Sequence, residues 1–254
     1  MILALDVGNT NIKCGLFDPN GKLKHSFRLS TNIDLTSDEY GINILGCFGY
    51  LKVSPREVTG VIASSVIPSI NYTIDHMSRE YFGMKPTFVG PGIKTGINIK
   101  YDNPKELGAD RIVNAVGAFE LFGGPVITVD FGTATSFGAI SAEGDFLGGA
   151  ICPGVRIAAE ALTDSAAKLP RIELIKPKTV INKATVSGMQ AGIIYGYVGQ
   201  VKHIVSRMKE ELGAAKVIAT GGFSSLIAPE TEVIDEIIPT LTLIGLERIY
   251  RKNV

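Results

Sequence analysis

The sequence predicts a mixed α/β protein made of two similar halves, and three observations carry that expectation. An apolar run ending in aspartate occurs twice, as Met1-Ile2-Leu3-Ala4-Leu5 into Asp6 and as Val126-Ile127-Thr128-Val129 into Asp130. Each aspartate opens the same kind of turn: Asp6-Val7-Gly8-Asn9-Thr10 and Asp130-Phe131-Gly132-Thr133-Ala134 align without a gap. A second apolar strand and a polar turn follow at almost equal distance in both copies, at Asp18–Gly21 and Ala142–Asp145. An internal repeat of this size points to two related domains. The expected division is 1–115 and 116–254, since 254 residues with 45% hydrophobic content can bury two modest cores.

In the first half, Met1 to Leu5 reads as a buried strand, and Ile12 to Phe17 as the strand that returns from the turn to close a β-hairpin. Leu23 to Leu29 predicts a third strand. Ser37-Asp38-Glu39 opens a helix whose Ile44, Leu45, Phe48 and Leu51 share one face. Gly60 to Ser64 is the next strand, followed by a helix from Pro68 to Phe82 and a strand near Thr87–Val89. Three strands and then helix–strand–helix–strand predict a mixed sheet with helices on its faces. The turn Ser64-Ser65-Val66-Ile67-Pro68 lies at the carboxyl end of a strand, where ligands gather, but serves equally as a helix start. Gly90 to Gly96 lacks the GxxxxGK[ST] spacing and reads as a connector rather than a phosphate loop. Asn103-Pro104 marks a helix start, with the adjacent Asp110-Arg111 pair inside it.

The second half repeats the hairpin and then departs from it. Leu147 to Val155 is rich in small residues and turns, suited to a ligand pocket or to tight packing. A helix runs toward Leu162, a Pro- and Lys-bearing loop spans Leu169 to Val180, and a long helix covers Ser187 to Leu212. Gly188, Gly192, Gly196 and Gly199 on that helix permit a close approach, within the subunit or across a dimer. Lys216 to Phe223 is a strand ending in Thr220-Gly221-Gly222, which suits an adenine ring or a plain turn, and Leu241 to Tyr250 closes the chain as an amphipathic helix.

Composition excludes several functions. Lys plus Arg equals Asp plus Glu at 25 each, so nothing at the level of net charge draws the chain to nucleic acid or an anionic membrane. The first apolar run is broken by Asp6 and has no basic leader, and no apolar stretch approaches a transmembrane span, so a soluble cytoplasmic protein is expected. Cys14, Cys47 and Cys152 are far apart with no CxxC, which argues for reduced packing residues rather than disulfides or a zinc site.

The chemistry resides in the turns. Gly8 lets the backbone approach a ligand, Asn9, Thr10 and Asn11 with the turn amides supply donors, and Lys13 adds positive charge, a set suited to phosphate. A carboxylate cannot bind phosphate directly, so Asp6 is expected to act through hydrated Mg²⁺. For Asp110-Arg111 two readings stand: a solvated pair of little consequence, or a carboxylate and guanidinium in a substrate site beside the unobstructed backbone of Gly108 and Ala109.

Taken in order, Asp6-x-Gly-Asn-Thr-Asn11, Gly108-Ala-Asp-Arg111, Asp130-Phe-Gly-Thr-Ala-Thr135, Gly148-Gly-Ala-Ile-Cys-Pro-Gly154 and Thr220-Gly-Gly222 resemble the type III pantothenate kinases, within the actin-like ATPase and sugar kinase superfamily. The resemblance implies two duplicated actin-like (ribonuclease H-like) domains with ATP between them, and ATP-dependent phosphorylation of pantothenate, the first step of coenzyme A synthesis. It implies that Asp6, Val7, Gly8, Asn9, Thr10, Asn11, Ile12 and Lys13 hold ATP phosphates together with Thr133. It further implies that Tyr101, Gly108, Ala109, Asp110, Arg111 and Thr185 contact pantothenate, that Asp110 is the catalytic base, and that Asp130 ligates a monovalent cation such as K⁺ or NH₄⁺. A homodimer with the pantothenate pocket at the subunit interface is implied as well. The sequence departs from the family pattern at Gly138, where an aspartate is usual, and at Ala184, where an asparagine precedes the threonine. The competing expectation is a non-catalytic transcriptional accessory protein on the same fold; retention of Asp6, Asp110, Arg111, Asp130 and Thr133 argues for the enzyme.

Overall fold

The structure is a computed structural model that describes residues 1–254. It divides into two compact units, the first made of residues 1–97, 102–120 and 241–254, the second of 98–101 and 121–240. The division differs from a single cut after residue 115. The C-terminal helix rejoins the first unit, and a four-residue segment before the Asp110 helix belongs to the second.

The first unit is a five-stranded sheet in the order β3-β2-β1-β4-β5. Its strands are β1 (Ile2–Val7), β2 (Asn11–Phe17), β3 (Leu23–Ser30), β4 (Gly60–Ser65) and β5 (Thr87–Phe88). β1, β2 and β3 form an antiparallel meander, and β4 and β5 continue from β1 in parallel. The central strand β1 is buried along its whole length, as an unbroken apolar run requires. Leu3, Leu5 and Val7 face a core completed by Ile44 and Phe48 of α1 (Ser37–Leu51) and Ile74 and Met77 of α2 (Asn71–Phe82). Helix α1 starts where the sequence expects it because Thr36 and Glu39 form a reciprocal capping box. Asn103-Pro104 starts a helix of a single 3₁₀ turn, and not the longer helix that carries Asp110. The Asn103 side chain accepts from the Lys105 amide over one turn, Pro104–Glu106, and the chain extends at Leu107 before α3 (Ala109–Phe122) begins. The last helix, α7 (Leu241–Arg251), packs on β1, β2 and β4. It crosses α3 where both helices carry glycine: a side chain at Gly245 would strike the Val113 carbonyl, and one at Gly117 would lie 2.8 Å from the Leu241 carbonyl oxygen.

The second unit repeats the pattern. β7 (Val126–Phe131), β8 (Ala134–Ile140) and β9 (Asp145–Gly148) form an antiparallel meander, and β11 (Lys216–Gly221) and β12 (Glu236–Ile237) continue from β7 in parallel. β6 (Asn98–Ile99) adds an edge strand beside β9. The expected duplication is therefore present strand for strand, with β1 and β7 as the central members. Residues Leu147 to Val155, read as turns, instead continue the partner of β8. β10 (Ile151–Pro153) pairs with β8 after an interruption at Gly148-Gly149. Packing forces that break, since a side chain at Gly149 would collide with the Phe137 carbonyl. The core beneath gathers Ile127, Val129 and Phe131 with Ile194, Val201 and Val205 of α5 (Thr185–Leu212). α4 (Val155–Ser165) packs on α5, and the short α6 (Ser224–Ile227) follows β11. All three cysteines are free. No helix is long and apolar enough to cross a membrane.

Candidate active site

In the first unit the strand pattern sends Leu3, Leu5 and Val7 into the core, so Asp6 points to the opposite face, beside Lys13 of β2 and Ser64 of β4 in direct register. The Ser64 hydroxyl donates to Asp6 Oδ1 at 3.0 Å, and Lys13 Nζ lies 3.2 Å from Oδ2. Asp6 and Ser64 are both buried, at 7% and 1% exposure. The Gly8-Asn9-Thr10 turn is closed by the Gly8 amide donating to the Asn11 carbonyl at 3.1 Å, and Asn9, Thr10 and Asn11 stay exposed. Thr31 donates its hydroxyl to the Gly8 carbonyl at 2.6 Å, which ties the turn to the end of β3. A carboxylate, an ammonium and an open, donor-rich turn thus meet at one strand end.

Asp110 belongs to the same unit, in the first turn of α3. Its Oδ1 accepts from the Arg111 amide at 2.8 Å, and a methyl group at Gly108 would lie 2.5 Å from that oxygen, so the small residue before the pair clears room for the carboxylate. Burial pushes the Asp110 carboxyl above the ordinary carboxylate range. The Arg111 amide draws it back down, the Asp6 charge pushes it up further, and the Arg111 guanidinium again opposes that. Asp110 therefore feels the Asp6 charge. A carboxylate whose affinity for a proton is raised in this way suits general-base work better than a solvated one.

The second hairpin is built by different means. Thr133 is exposed in the turn between β7 and β8. The Gly148–Gly154 motif supports this turn, because a side chain at Gly154 would run into the Thr133 carbonyl. Of the two readings of that motif, tight packing describes Gly149 and Gly154. Asp130, the last residue but one of β7, stands in register with Thr220 of β11 and Ser136 of β8. Gly221 adopts φ +94° with the Asp130 Oδ1 close against its backbone, 2.5 Å from where a side chain would begin, so Thr-Gly-Gly and the second aspartate form one assembly. Gly138 pairs with Thr128 across the strands, and the Thr128 hydroxyl and the Phe146 ring occupy the space a larger residue would need. Tyr101 lies in this unit too, its ring tilted against Phe146 at 6.3 Å. Thr185 is the exposed first residue of α5.

Asp6, Lys13, Asp110 and Arg111 thus come together in one unit, while Thr133, Asp130, Tyr101 and Thr185 belong to the other. Sequence reasoning left Ser64 unassigned. The signal that would have found it is a serine at the buried carboxyl end of a strand parallel to the Asp6 strand.

A family model described as type III pantothenate kinase matches residues 2–207. Similar solved structures include a putative N-acetylmannosamine kinase from Listeria monocytogenes, at 12% identity and TM-score 0.57 over 100% of this chain and 99% of that one. The activator of 2-hydroxyisocaproyl-CoA dehydratase from Clostridium difficile, with bound ADPNP, matches at 12% identity and TM-score 0.56 over 99% and 94%. A putative Baf family transcriptional activator from Campylobacter jejuni matches at 17% and 0.57 over 99% and 97%. At such identities these likenesses speak for the fold, which is that of the actin-like ATPases and sugar kinases.

Proposed function

Since the chain belongs to the type III pantothenate kinase family, we propose that it transfers the γ-phosphoryl group of ATP to the primary hydroxyl of pantothenate, giving 4′-phosphopantothenate for coenzyme A synthesis. The observation that supports this most is the Asp110 carboxyl at the head of α3, raised in proton affinity by burial and by Asp6. Phosphoryl transfer asks little of a protein beyond alignment and charge neutralisation. Asp110 receives the hydroxyl proton as the new O–P bond forms and the bond to ADP breaks. Arg111, next in the helix, supplies a guanidinium for the pantothenate carboxylate or for holding Asp110. Gly108 and Ala109 leave the backbone open beside them, and Tyr101 and Thr185 complete the substrate contacts in this reading.

Lys13, with the amides and side chains of Val7 to Ile12, binds ATP phosphates, and Thr133 contributes from the second hairpin. No group of three or more His, Cys, Asp or Glu is placed to hold a metal ion. The single buried carboxylate of Asp6 beside the donor-rich turn fits Mg²⁺ carried mainly by phosphate and water, with Asp6 as its protein anchor through water. When bound, that ion neutralises phosphate charge. Asp130, flanked in register by the hydroxyl residues Thr220 and Ser136, offers an all-oxygen set that fits a monovalent cation such as K⁺. A homodimer belongs to the same reading. Side chains added at Gly188, Gly192, Gly196 and Gly199 of α5 would meet open space, and Ile157, Leu162 and Val186 on α4 and α5 are exposed apolar residues.

The test is ADP release with ATP, Mg²⁺ and K⁺, with and without pantothenate, in the native protein and in Asp110→Asn. Pantothenate-dependent release that falls by roughly 10²–10⁴-fold in the variant, the usual contribution of a general base, supports the reading. A protein that binds ATP and releases no ADP would favour a regulatory role.

A further inference from the structure

We propose that Ser64 is a positioning residue for the nucleotide-bound metal, acting through Asp6; this rests on the reading of Asp6 as the anchor for Mg²⁺. β4 reads Gly60-Val61-Ile62-Ala63-Ser64-Ser65, and up to Ala63 nothing in it calls for a hydroxyl. A buried hydroxyl needs a partner, and Ser64 at 1% exposure finds one in Asp6 Oδ1 at 3.0 Å. Its neighbour Ser65 has a different task, exchanging hydrogen bonds with the Ile67 amide and carbonyl in the turn. The two serines are thus divided between the carboxylate and the turn.

The two Asp6 oxygens have unlike partners. Oδ2 is matched by Lys13, whose ammonium rides on a flexible stem and is the group expected to turn toward phosphate. Oδ1 is matched by a short side chain on a central strand, in register with Asp6 itself. Rotation about the last bond of an aspartate is soft, so a carboxylate that exchanges Lys13 for hydrated metal needs a second restraint to keep its direction. Ser64 supplies that restraint and leaves the second oxygen available. Outer partners of a direct metal ligand typically change metal affinity by about 10–100-fold when removed, and a carboxylate that holds the ion through water takes the low end of that range.

The experiment measures ADP binding by calorimetry with Mg²⁺ and again in EDTA, in the native protein, Ser64→Ala and Asp6→Asn. The expected result is tighter binding with Mg²⁺ in the native protein, a gain cut by about 10-fold in Ser64→Ala, and the same ADP affinity in EDTA for both. Unchanged metal-free binding shows that the variant is folded. A full Mg²⁺ gain retained by Ser64→Ala overturns the inference, and so does an equal loss with and without metal, which marks the hydroxyl as merely structural. If Asp6→Asn keeps the full gain, the underlying reading of Asp6 fails and takes the inference with it.

Discussion

At Asp110, burial and the Asp6 charge both oppose ionisation of a group that the proposed chemistry needs ionised. The conflict has a thermodynamic sign. The folded-state pKa lies above the unfolded value, about 3.9 for aspartate, so as pH rises the unfolded chain releases its proton first. The native state then holds more protons than the unfolded one, and stability falls with pH until the folded carboxyl has also ionised. Asp110→Asn removes that penalty. It should melt above the native protein at pH 8, with the gap closing as pH falls below about 4, and thermal melts across that range check it. Gly108→Ala tests the other side of the site. A methyl there would press on the movable end of Asp110 rather than on backbone, so folding should survive while kcat falls by about 10²-fold, the scale of a small misplacement of a reacting group. At Gly138, by contrast, the neighbours are a packed hydroxyl and ring. Restoring the family's aspartate there should destabilise by about 1–3 kcal/mol, as overpacking does, visible in a denaturant titration. The departure is legible in the sequence, but its cause only in three dimensions, because Thr128 and Phe146 occupy the missing side chain's place.

Among the elements, local chemistry was readable and distant pairing was not. The Thr36–Glu39 box starts α1 from four consecutive residues, and both Asp hairpins follow from apolar runs and turn residues. Two-residue strands such as β6 and β12 carry no period of their own; they exist because β9 and β11 offer an edge. The Gly148-Gly149 interruption looked like a turn because its cause, the Phe137 carbonyl, lies on another strand. Asp6 and Asp130 were legible from strand ends and Asp110 from the Gly108-Ala-Asp-Arg111 motif, while Ser64 became meaningful only once β4 was placed beside β1. Helix α5 shows a local rule left unmet: its N-cap is Ala184, which makes no side-chain cap hydrogen bond. Ala184→Asn supplies the missing acceptor and should add about 0.5–2 kcal/mol. For a chain of this size that raises the melting temperature by about 2–4 °C per kcal/mol, readable by calorimetry, and no change would show that the first turn of α5 is satisfied by other means.

For the molecule as a whole, the row of four glycines on α5 gives the dimer proposal a clean test. Each faces open space within the chain, so Gly192→Glu should leave the monomer folded, and by helix propensity slightly favour the helix. Light scattering should show the native protein near twice its 27.1 kDa chain mass and the variant near that mass itself; a native monomer would end the proposal. The return of α7 to the first unit matters in another way, for biosynthesis. On the ribosome β1, β2 and α3 emerge early, yet the helix that covers them is translated only after the whole second unit. The later-made unit holds all of its own strands and can close first, while the earlier one waits with an apolar flank uncovered. Nascent chains halted before Leu241 should therefore be the ones that general chaperones engage, by the apolar flank left uncovered.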